Sequence, residues 1–387
     1  RARPAGAAAA AGTRLSGAPC GPGGRSGAGR GPGPVLPERR GAVVRGRCVP
    51  PSPPPVRDAG VRAAETEACR SSPPPAFSFF GGAEDKRDEA QKAEDEIILL
   101  LKKAKLSIMR DELDAADGFL HQAIRLAHQS HNTQAIIYTY SLMANLAFVQ
   151  GQLTNAEKLF KAAMSFMLAG GMPQDHNAII EMSLKLASIY ASQNKSELAE
   201  HGFRFCTESL EAKMEQHKDL PPEQLSDEER KDTRLLLGLT LDARARYLAA
   251  SRRLAEAGAD YQRALQICRE EQGESHPQTL VLMSDLATIL DLQGRHVEAL
   301  AQVQKAVELS ERAGHPDRHV LLGNMAGILM HQGRWEESGR LYQEALAAAQ
   351  AAGDAEAVEH MQEGLKELAS RRDAQETETE TERAAQD

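Results

Sequence analysis

The residues best placed to do chemistry here are histidines. His121 and His128 stand two turns apart on one helix face, and His131 falls in the turn that follows. Two imidazoles at that spacing can begin a metal site, but a site needs three or four convergent ligands. The trio therefore reads as exposed and unconnected. The five cysteines, Cys20, Cys48, Cys69, Cys206 and Cys268, include no CxxC pair and no metal spacing. No glycine-rich phosphate loop, HExxH or nucleophile elbow is present, and no carboxylate pair stands out from the surface charge. Asn194-Lys195-Ser196 is a glycosylation sequon that matters only in a secreted protein. His276 precedes Pro277 and reads as a turn residue. The sequence thus predicts a chain that is not an enzyme and carries no cofactor or metal. The chemistry left to it is recognition. Its candidates are Lys105, Asn145, Ser188, Arg246 and Thr288, each one residue after a recurring alanine, with Gly327 closing the row. A second row, six residues before each alanine, is mainly apolar: Ile98, Tyr138, Glu181, Leu239, Val281 and Val320.

These rows exist because the chain repeats a helical hairpin. LMANLAFVQGQLTNAEKLF, Leu142 to Phe160, shows the unit. Six copies align on Ala116, Ala156, Ala199, Ala257, Ala299 and Ser338, spaced 40, 43, 58, 42 and 39 residues apart. Twelve residues earlier stands Ala104, Ala144, Ala187, Ala245, Ala287 or Ala326. Four residues later stands Leu120, Phe160, Phe203, Tyr261, Val303 or Tyr342, and seven later Ala123, Ala163, Cys206, Ala264, Ala306 or Ala345. Offsets of four and seven share one helical face. Alanine there lets a paired helix come close, and the larger residue fills the adjacent groove. Gly151, Gly294 and Gly333 mark three of the turns. Asp111, Asn194 and Arg252 hold that place elsewhere, which predicts turns less strictly specified. Repeats of this kind stack into an all-α solenoid, a right-handed superhelix of about six helix pairs plus a capping helix. Stacking places the first helices on the concave side, where both rows would face a bound peptide or helix. The candidate groove is therefore Lys105, Tyr138, Asn145, Ser188, Arg246 and Thr288.

Composition divides the chain. Residues 1–82 hold 12 Arg, no Lys and 4 acids, with 14 of the 19 prolines and 15 of the 31 glycines. That composition predicts a disordered leader, and its arginine excess suits a mitochondrial targeting segment. Residues 83–387 carry a net charge of −17, which excludes a nucleic-acid binder. The absence of a disulfide framework predicts an intracellular protein. No run of about 18 apolar residues is written here, so no transmembrane helix is predicted. Residues 83–95 read as a charged linker, and 96–353 as the repeat domain. The long spacing between the third and fourth copies predicts a helical extension at 213–232, with Pro221-Pro222 at its turn and a capping box of Ser226 with Glu229. Residues 354–372 read as a capping helix with Ala357, Met361, Leu365 and Leu368 on one side. Residues 373–387 read as a disordered acidic tail. Trp335, the one tryptophan, reads as core.

The alanine and aromatic columns resemble the tetratricopeptide-repeat family. GESHPQTLVLMSDLATILDLQGRHVEALAQVQKAVEL resembles the variant found in kinesin light chains, which leaves a cytosolic cargo or signalling adaptor as an alternative. LLKKAKLSIMRDE, YTYSLMANLAFVQGQLTNAEKLFKAAMSFMLAGGM and IYASQNKSELA resemble more closely a mitochondrial branch of that family. The resemblance covers roughly residues 94–370. It implies a factor for assembly and maintenance of respiratory complex III, linked to clearing fragments of the Rieske iron–sulfur subunit. It implies protein partners among complex III subunits, including the Rieske protein, and residence at the mitochondrial inner membrane. It also implies a leader and one membrane anchor before the repeats; the arginine-rich segment is present and the anchor is not.

Overall fold

A computed structural model describes residues 88–218, 221 and 225–386. The arginine-rich leader, Cys20, Cys48 and Cys69, and most of the turn around Pro222 lie outside the described residues. Among these residues the chain is helical and has no strand. The helices are α1 (Glu89–Met109), α2 (Leu113–Gln129), α3 (Thr133–Val149), α4 (Leu153–Ala169), α5 (Asn177–Ser192) and α6 (Ser196–Lys218). They continue as α7 (Asp227–Ala250), α8 (Leu254–Gln272), α9 (Pro277–Leu292), α10 (His296–Ala313), α11 (Arg318–His331), α12 (Trp335–Ala352) and α13 (Ala355–Gln386). Each odd helix pairs with the next, and each pair packs on its successor. None of the described helices is long and apolar enough to cross a membrane.

The columns build the core. All 24 residues of the four columns are at most 4% exposed. Six hairpins with small residues at the same two levels can stack only at one spacing, which keeps the columns in register. Ser338 replaces alanine at no polar cost, because its hydroxyl donates to the Ala326 carbonyl at 2.8 Å. Cys206 likewise points its thiol at the Ile180 carbonyl, 3.5 Å away. Gly202 marks the closest approach of α5 and α6, since a Cβ there would lie 2.8 Å from the Ala187 Cβ.

The turns are more uniform than the sequence suggests. Gly151, Gly294 and Gly333 have positive φ, and so do Asp111 (61°), Asn194 (57°) and Arg252 (63°). The non-glycine residues adopt the left-handed conformation that the hairpin demands and carry its steric cost, about 1–2 kcal/mol each. Two boundaries and one burial differ from the sequence reading. The helix starts at Glu89, inside the charged stretch, because Asp88 caps it by accepting from the Gln91 amide at 2.7 Å. The last helix does not stop at Arg372 but runs to Gln386; no glycine or proline follows Gly364, and Glu, Ala and Gln all sustain a helix. Trp335 is half-buried rather than core, and its indole N–H donates to Gln375 Oε1 of α13 at 2.9 Å.

α6 and α7, at 23 and 24 residues, are the longest helices of the six pairs. Ser226 and Glu229 form a reciprocal capping box at the start of α7. Arg230 reaches back across the insert to the His217 carbonyl.

Candidate functional site

The six candidate groove residues lie on the first helices α1, α3, α5, α7 and α9, and each is half-buried. The structure brings two of them into contact. Lys105 Nζ sits 5.1 Å from the centre of the Tyr138 ring, a cation–π pair that joins the first two repeats. The other four are not joined to each other. Instead each meets its own helix or a partner the sequence reading passed over.

Those partners form a polar ladder between consecutive first helices. Lys185 Nζ of α5 donates to Asn145 Oδ1 of α3 at 3.0 Å and pairs with Glu181 at 3.0 Å. The same ammonium lies 5.7 Å from the Phe160 ring centre. Asn177 Nδ2 of α5 donates to Thr233 Oγ1 of α7 at 3.0 Å. Arg246 of α7 grips Asp242 bidentately, Nε to Oδ1 at 3.0 Å and Nη2 to Oδ2 at 2.9 Å. It also faces Asp285 of α9, 3.7 Å away. Asn324 of α11 donates to Ser284 Oγ of α9 at 2.8 Å. Ser188 and Thr288 donate to the carbonyls of Leu184 and Ser284, one turn back on their own helices, both at 3.1 Å. A signal for the missed residues was present. Lys185, Asp242 and Asp285 stand three or four positions before Ser188, Arg246 and Thr288, and therefore on the same face.

The charge at the centre of the ladder is unbalanced. Two carboxylates, Asp242 and Asp285, share one guanidinium. Burial pushes both carboxyls up, and it takes Asp285 to about 7 against the pull of Arg246. A carboxyl with that value changes charge near neutral pH.

The histidines do not converge. His121 Nδ1 lies 3.2 Å from Asp117, and His128 Nε2 lies 3.2 Å from the Tyr140 hydroxyl with Phe166 also against its ring. No group of three His, Cys, Asp or Glu side chains that could hold a metal occurs among the described residues. Cys206 and Cys268 are free and buried, and burial pushes their thiols up to about 12 and about 11. Nucleophilic thiolate is therefore scarce at neutral pH. His276 caps α9 by accepting from the Gln278 amide at 3.2 Å.

Comparison with known proteins follows the fold. Tetratricopeptide-repeat family models match residues 236–312 and 320–352. A zebrafish protein, "Tetratricopeptide repeat protein 19, mitochondrial", is 80% identical over 299 residues, 77% of this chain and 74% of its own length. The human protein of that name is 58% identical over 225 residues, 58% of this chain. This chain spans 59% of the human relative's length. Among solved structures, the apo form of RapI superposes with a TM-score of 0.54 at 12% identity, covering 78% of this chain and 82% of that one. That likeness speaks for the fold alone.

Proposed function

Because the chain belongs to the mitochondrial tetratricopeptide repeat protein 19 family, we propose that it is a non-catalytic scaffold in mitochondria that holds a protein segment against its first helices. The observation that carries this reading is the polar ladder. It joins first helices from α3 to α11, with buried members such as Thr233, Asp242 and Ser284 beneath half-buried ones such as Asn145, Lys185 and Arg246, and the half-buried members suit contact with an extended chain. The surplus carboxylate at Asp242, Arg246 and Asp285 favours a segment with a lysine or arginine at that level. The net charge of −17 over residues 83–387 would draw a basic segment in the same way.

The finer assignment rests on resemblance. The segment belongs to a complex III subunit or to a fragment of the Rieske protein, and the scaffold works at the inner membrane during assembly and upkeep of that complex. A rescue experiment tests it. Cells lacking the endogenous relative should regain complex III activity when this chain, fused to a mitochondrial targeting leader, reaches their mitochondria. Import without any gain in complex III activity would refute the assignment and leave only the scaffold reading.

A further inference from the structure

The two ends of the repeat stack are finished differently. At the C-terminal end α13 covers the last pair. Met361 seats against Gly323, and Gly364 lies so close to Tyr342 that a Cβ would come within 2.5 Å of its ring. At the other end, no described helix covers the outer flank of α1.

Comparison of equivalent positions exposes the gap. Five residues before the first-helix alanine, Thr139, Met182, Thr240, Leu282 and Leu321 are buried, whereas Leu99 is 51% exposed. Two residues after it, Leu146, Ile189, Ile289 and Ile328 are buried and Tyr247 is half-buried, whereas Leu106 is 46% exposed. One residue before it, Met143, Leu186 and Leu286 are buried and Arg244 and Met325 half-buried, whereas on α1 Lys103 is exposed, its ammonium 5.8 Å from the Phe119 ring centre. In later repeats this flank receives the second helix of the preceding pair. On α1 it is a repeat-docking face that no described helix covers.

Its charges select the occupant. Glu96, Leu99, Lys103 and Leu106 form one stripe at i, i+3, i+7 and i+10. Laid antiparallel on a copy of itself about the level of Leu99 and Leu100, the stripe sets Glu96 against Lys103 of the other copy, twice. Leu99 then meets its own counterpart, and Leu106 falls over Ala93. A parallel arrangement would set like charge on like. We propose that a second copy of this chain docks here, through an antiparallel α1–α1 contact across a two-fold axis. The contact is one helix pair about 31 Å long, smaller than the standard interface of about 1,600 Å². The dimer is accordingly weak and depends on concentration.

Sedimentation velocity of the full chain between about 1 and 100 μM tests this. The mass should rise from one chain towards two. Leu99→Glu, at an exposed position, should spare the helical circular dichroism and weaken the dimer at least about tenfold. Glu96→Lys and Lys103→Glu should each weaken it, and the two together should restore it. A monomer throughout, a dimer indifferent to Leu99→Glu, or a charge swap without recovery would each overturn the proposal. A monomer in which a Leu99→Cys thiol resists alkylation would also overturn it, and would place another part of the chain on this face.

Discussion

At the residue scale the columns are buried throughout, whereas the ladder mixes buried and half-buried side chains. The column residues were legible because a repeated spacing admits one physical reading: small where helices touch, large where a groove needs filling. Ala187, Cys206 and Ser338 obey it although they differ in chemistry. The polar ladder was not legible in the same way. Lys185 meets Asn145 across 40 residues, and only the stacking angle of two first helices makes them neighbours. The turn residues show a further limit. Arg252 bends like glycine because the hairpin imposes that geometry, whereas Asp111 and Asn194 are residue types that enter it more readily. Asp285 gives a test at this scale. Its folded carboxyl, at about 7, lies above the ordinary value of 3.8, so the folded state binds more protons than the unfolded chain in between. The stability it contributes is therefore present below about pH 4 and is lost as pH rises through about 7. Asp285→Asn should raise the unfolding free energy measured in urea relative to the parent at pH 8, by on the order of 1–3 kcal/mol. The gain should shrink steadily towards pH 4.

At the element scale, caps decide where helices begin. The capping box at Ser226 and Glu229 was legible because its two residues sit at a fixed offset. The Asp88 cap was hidden among charged residues that looked like a linker, and helix formers such as Glu89 and Glu96 carry α1 back to it. The extent of α13 was hidden by composition, since alternating Glu and Thr resembles a solvated tail. His276 serves as an N-cap through its unprotonated Nδ1. Burial, followed by repulsion from Lys231, holds its pKa below the usual histidine range. The folded state thus binds fewer protons, and the cap's contribution is present above about pH 6.5 and lost as pH falls through the lowered value. His276→Asn supplies an acceptor that does not titrate. Thermal unfolding should show the variant within about 0.5 kcal/mol of the parent at pH 8 and more stable than it at pH 5. Equal loss of stability by both chains on acidification would show that the cap does not titrate.

At the scale of the whole molecule the stack is a repeat scaffold whose C-terminal pair is covered by α13. Its fold was legible almost entirely from the repeats, and its membership of a mitochondrial family from stretches more specific than the columns. The candidate groove residues fall on the first helices, as their spacing placed them, but the neighbours of those residues were not legible. The central claim is the proposal that this face holds a protein segment. The most direct measurement is a mild-detergent pull-down from mitochondria with the full chain as bait, beside the variant Ser188→Arg with Thr288→Arg. Those substitutions place bulk and positive charge on the face at half-buried positions that only hydrogen-bond their own helices. The account predicts that complex III subunits come down with the parent chain and not with the variant, while both melt at the same temperature. Equal recovery with both baits, or no complex III subunit with either, would contradict it.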